Sequence, residues 1–84
     1  MTTQDFEKME SRGLIKDGTC IMLYGADISI EGRYKGVGLD GVKLMSYTGG
    51  HICIVDISHI DTVFKAKRTV KPGQKTRSYE MINV

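Results

Sequence analysis

Eighty-four residues make one small domain, which hides only about 60–65% of its unfolded surface and so leans on a staple, a metal or a partner subunit. The composition is 40% hydrophobic and 26% charged with no Trp; no apolar run approaches the ~20 residues of a membrane helix, so the expectation is a cytoplasmic protein without a membrane partner. The net charge of +2 hides a split: residues 1–64 carry six Lys/Arg against nine Asp/Glu, giving −3, and residues 65–84 carry six against one, giving +5.

The opening MTTQDFEKME holds acids and no apolar stretch, so it does not read as a signal peptide. Thr2 to Arg12 reads as a short helix. Thr2 and Asp5 fit a capping box, Phe6 and Met9 share a face, and Gly13 fits a left-handed stop. So short a helix must dock to persist. Lys16-Asp17-Gly18 is a turn, and Thr19 to Tyr24 is a first strand. After Gly25-Ala26-Asp27, a long second strand runs from Ile28 to about Leu39. Gly32, Gly36 and Gly38 inside it mark bends, and the alternation changes phase near Gly36, which predicts a bulge there. Asp40-Gly41 predicts a two-residue hairpin of type I′.

Val42 to Tyr47 is the third strand, Thr48-Gly49-Gly50 a turn, and His51 to Val55 the fourth strand. Asp56 to His59 reads as a tight corner, and Ile60 to Lys65 as the fifth strand. The fourth strand, Ile52-Cys53-Ile54-Val55, is apolar on both faces, which predicts cover from the helix or from a neighbouring subunit. Cys20 and Cys53 sit in apolar runs and read as small buried hydrophobes, a disulfide being the lesser alternative. Residues 66–84 form a basic C-terminal arm after a domain at 1–65. The arm's last seven residues, SYEMINV, turn apolar and are candidates for an added strand on this chain or a neighbour.

A short helix followed by Cys20-Ile21-Met22-Leu23-Tyr24-Gly25, Ile30-Glu31-Gly32-Arg33-Tyr34, Val42-Lys43-Leu44-Met45 and Val55 to Val63 resembles the Sm-like (LSm/Hfq-like) family, as a divergent bacterial or phage member. The resemblance covers about residues 19–64. It implies a mainly β fold, an N-terminal helix before a five-stranded, strongly bent antiparallel barrel of the small SH3-like kind. It also implies a homo-oligomeric ring, pentamer to heptamer, that binds single-stranded RNA without catalysis. Such a ring would close by pairing the fourth strand with a neighbour's fifth, making Ile52, Cys53, Ile54, Val55 and Val63 the interface. The family's aspartate and asparagine around the loop between strands two and three are matched only by Asp40, out of register, and the corner at Asp56 is acidic where many members are basic.

The RNA candidates are therefore Asp40, Gly41, Ser58 and His59 on pore-facing loops, with Lys65, Lys67, Arg68 and Lys71 supplying phosphate contacts. Against them stand plainer readings: Asp40-Gly41 as a hairpin turn, His59 as a surface residue, the arm as a solubilising tail. Tyr34 and Tyr47 could stack on bases, although Tyr34 shares the phase of Ile30 and reads better as core or interface. His51, Cys53, Cys20 and His59 show no metal-ligand spacing, and Asp56-Ser58-His59 has no triad geometry in sequence, so no metal, cofactor or catalysis is expected. Two alternatives to the RNA-binding ring remain: a structural or protein-interaction barrel, phage-encoded in one version, that keeps the ring without the RNA site, and a monomeric SH3-like barrel.

Overall fold

The computed structural model describes residues 1–47, 50–66 and 78–83. Helix α1 (Thr3–Ser11) begins on the expected capping box: the Thr2 hydroxyl accepts the Asp5 N–H, and the Asp5 carboxylate accepts the Thr2 N–H at 2.8 Å. It ends in a Schellman arrangement, with the Gly13 N–H donating to the Glu10 carbonyl and the Leu14 N–H to that of Met9, Gly13 taking φ +72°.

Six strands follow: β1 (Cys20–Tyr24), β2 (Ser29–Gly38), β3 (Gly41–Met45), β4 (Ile52–Val55), β5 (Thr62–Ala66) and β6 (Tyr79–Met81), with a 3₁₀ turn at Ile57–His59 before β5. They form one sheet in the order β4-β3-β2-β1-β5-β6, every neighbouring pair antiparallel. The expected five-stranded barrel is thus corrected to a six-stranded open sheet. Among the described residues β4 pairs only with β3 and β6 only with β5, so the two edges do not meet. The sixth strand comes from the apolar C-terminal residues, and the Ile82 N–H extends its ladder to the Val63 carbonyl at 2.9 Å.

The bulge near Gly36 is present. Strand β2 pairs Tyr34 with Leu44 and then Val37 with Val42, a register shift of one residue, and Gly36 takes φ +115°. The hairpin turn is a correction. Gly38 pairs with Gly41, so the loop is Leu39-Asp40 rather than Asp40-Gly41. Neither loop residue has a positive φ, which excludes type I′.

The sheet wraps one core of Ile21, Leu23, Tyr34, Val42, Leu44, Val55, Ile60, Val63 and Ile82, closed by Phe6 and Met9 of α1. Tyr34 is the largest buried side chain; its ring lies nearly parallel to Phe6 with centroids 6.3 Å apart. Its hydroxyl donates to Glu10 Oε1 at 2.6 Å, tying β2 to the helix. Burial first, then that hydrogen bond and the charge of Glu10, push the Tyr34 hydroxyl well above its ordinary value of 10.0.

A raised folded-state value means that folding favours the protonated phenol. This contribution is whole below pH ~10 and is lost as pH rises above it. Urea unfolding followed by circular dichroism should show the midpoint falling on the alkaline side of pH 10, and Tyr34→Phe should lose less over the same rise.

Candidate nucleic-acid interface

The loop candidates are set by close backbone approaches. A Cβ at Gly41 would overlap the Val55 carbonyl, and Gly41 takes φ +135°, so the β2–β3 turn backs directly onto Val55 and Asp56. A Cβ at Gly25 would likewise overlap the His59 carbonyl, which presses the far end of the corner against the β1–β2 turn. The corner therefore bridges two turns from opposite ends of β2. Asp40 lies exposed beside its start; Ser58 and His59 lie exposed at its end, in a cleft of about 150 Å³ lined by Ala26, Asp27, Ser58, His59 and Asp61.

The chemistry of that cleft is acidic. Asp56 caps the 3₁₀ turn, its Oδ1 accepting the Ser58 N–H at 2.9 Å and the Ser58 hydroxyl at 2.8 Å. Those bonds, the backbone one foremost, hold its carboxyl below the usual carboxylate value. Asp27 and Asp61 line the cleft itself beside His59. This arrangement repels phosphate. Among the described residues no three of His, Cys, Asp and Glu are grouped to hold a metal ion.

The remaining candidates scatter. Lys65 is half-buried on β5, opposite Glu80 of β6; Lys67, Arg68 and Lys71 lie outside the described residues. Of the interface candidates, Ile52, Cys53 and Ile54 are exposed, whereas Val55 and Val63 belong to the core. Neither cysteine is in a disulfide among the described residues, and Cys53 is not the buried hydrophobe its neighbours led one to expect, because β4 overhangs the core and only Val55 reaches it. The edge of β5 is taken by β6, so a neighbour's β4 has no free β5 to pair with.

A second concavity, larger than the corner cleft, involves residues that sequence reasoning passed over. Ile21, Leu23 and Val63 face the core, so Met22, Tyr24 and Phe64 face outward, and the register aligns Met22 with Phe64 and Phe64 with Met81. With Thr62 and Tyr79 they line an open groove of about 510 Å³. Tyr24 and Phe64 meet edge to face, centroids 5.3 Å apart and planes at 81°. Tyr47, from the β3–β4 turn, lies close enough to Cys20 and Tyr79 for both to act on its hydroxyl. Partial burial first, then these two neighbours, raise the Tyr47 hydroxyl above its ordinary value.

The groove ends at the residues that flank the basic segment in sequence. Residues 67–77 carry five Lys/Arg and no acid, and they join Ala66 to Ser78. Ala66 pairs with Tyr79, so the segment leaves and returns at one end of the groove. The sequence signal for the groove was available. Cys20 to Tyr24 is apolar on both faces, as β4 is.

Gly41→Ala should destabilise the fold by more than about 1 kcal/mol, since it adds a Cβ at positive φ against a carbonyl. Asp40→Ala, at an exposed turn, should stay within about 0.5 kcal/mol. Urea titration of the two variants checks this.

Comparison with protein-family models, with curated proteins and with solved structures returns no match to this chain, so its reading rests on the groove, the corner and the sheet edges themselves.

Proposed function

We propose that the chain is a non-catalytic, self-associating RNA-binding protein of the Sm-like kind, and that single-stranded RNA lies in the groove on β1, β5 and β6 rather than against the pore-facing loops. The observation that carries this reading is the aromatic groove whose end joins the acid-free basic segment. Single strands are held by such a pair of features: aromatic faces on which bases stack, beside cations that neutralise the backbone. Tyr24, Phe64 and Tyr79 offer the faces, and Lys67, Arg68 and Lys71 the charge. The acidic corner at Asp56 and Asp61 takes no part. The ring implied by the resemblance is not carried into the proposal, because it closes on the β5 edge that β6 occupies.

The acidic corner favours a second reading, a structural or protein-interaction module without an RNA site. The absorbance ratio at 260 and 280 nm of the freshly purified protein separates the two. Nucleic acid carried through purification supports the first.

Fluorescence anisotropy with U-rich and A-rich oligonucleotides should show binding that weakens with salt. Tyr24→Ala should cost about 1–3 kcal/mol, roughly 5–150-fold in affinity. Changing Lys67, Arg68 and Lys71 together to Gln should flatten the slope of log affinity against log salt by about 0.7 for each phosphate no longer neutralised. Absent binding at low salt, or binding indifferent to both changes, overturns the proposal.

A further inference from the structure

The open edge of β4 points to a second function for this fold, beyond RNA binding. Ile52 and Ile54 are 59% and 50% exposed on the outer face of β4, and Cys53 is exposed on the other. Natural edges are blunted by charge, proline or a bulge, and Ile52 to Val55 has none of these. The opposite edge differs: β6 is three residues long and carries Glu80 at its centre.

The hydrogen-bonding state of β4 follows from one contact. The Ser46 N–H donates to the His51 carbonyl at 2.9 Å, so His51 turns its backbone groups toward β3. Those groups alternate in side along a strand, so Cys53 and Val55 also face β3. Ile52 and Ile54 then present their N–H and C=O groups to the open side.

We propose that β4 pairs with β4 of a second copy across a two-fold axis, in the register Ile52 to Ile54, Cys53 to Cys53 and Ile54 to Ile52. Antiparallel pairing of identical strands needs an axis perpendicular to the sheet, which keeps outer faces together and allows only registers with an even residue sum. The register one step toward the C-terminus sets Ile52 against the Asp56 carboxylate; one step toward the N-terminus sets Ile54 against Gly50. The register centred on Cys53 alone joins all four isoleucines in two cross-strand pairs. It makes those pairs the hydrogen-bonded ones, since both residues turn their backbone groups outward. The two Cys53 residues then form the close, non-hydrogen-bonded pair, with Cα atoms about 4.5 Å apart. That separation lies within the range a disulfide spans. Four residues per strand make a small contact, so the dimer exchanges with monomer.

Sedimentation velocity on the full chain under reducing conditions should show, with rising concentration, a shift from the 9.3 kDa chain to twice that mass. Diamide, which accepts the two protons and two electrons released as two thiols become one disulfide, should give a covalent dimer on non-reducing gels. Cys20→Ser should keep that dimer, and Cys53→Ser should abolish it while leaving the sedimenting dimer. Ile54→Lys, a change at a half-exposed position outside the core, should remain monomeric and uncross-linked. A wild-type chain that stays monomeric, a larger assembly, a cross-link that depends on Cys20, or an Ile54→Lys protein that still dimerises overturns the proposal.

Discussion

Strand β2 belongs to two hairpins at once, and they overlap at Arg33 and Tyr34. Its first half, Ser29 to Arg33, pairs with β1; from Arg33 to Gly38 it pairs with β3. A flat strand of ten residues would carry both partners in one plane. The bulge between Tyr34 and Val37 bends it instead, so that β1 and β3 wrap toward each other. Tyr34 sits at that bend and enters the core, where its hydroxyl reaches Glu10 of the helix. The stack on Phe6, the docking of α1 and the reach of Tyr47 toward Tyr79 all presuppose this bend.

The same geometry leaves two unlike edges. A domain of this size cannot close every edge with its own residues. The C-terminal strand covers β5, where Ile82 adds a buried side chain beyond the ladder. No described residue covers β4. Charge is distributed with the same asymmetry: the corner near the β1–β2 and β2–β3 turns is acidic, and the basic run leaves from the β5–β6 end. The groove thus belongs to one side of the sheet, and the apolar edge of β4 to the other.

Much of this was legible from local chemistry. The capping box at Thr2 and Asp5, the left-handed Gly13 and the phase change at Gly36 each depend on residues within a few positions of one another. The expectations that missed depended on register. One step in the hairpin moved the turn from Asp40-Gly41 to Leu39-Asp40, and Gly41 proved to be required by the Val55 carbonyl rather than by the turn. Cys53 looked buried because its neighbours are apolar, but β4 overhangs the core and leaves it in solvent.

The sequence by itself determined the helix with its caps, the strand periods, the bulge and the charge split, because each is a property of short-range spacing. Only the tertiary structure decided that the sheet is open, that β6 occupies the edge of β5, and that Tyr24, Phe64, Tyr79 and Met81 line one groove. Those outcomes require residues from thirteen to nearly sixty positions apart to be brought into register, and cross-strand pairing across an unpatterned connection leaves no local mark in the chain. The two-sided apolar β4 stands between the cases. Its composition predicted cover on both faces, the described residues leave Ile52 to Ile54 exposed, and its backbone orientation, fixed by the Ser46 to His51 bond, defines which residues it offers.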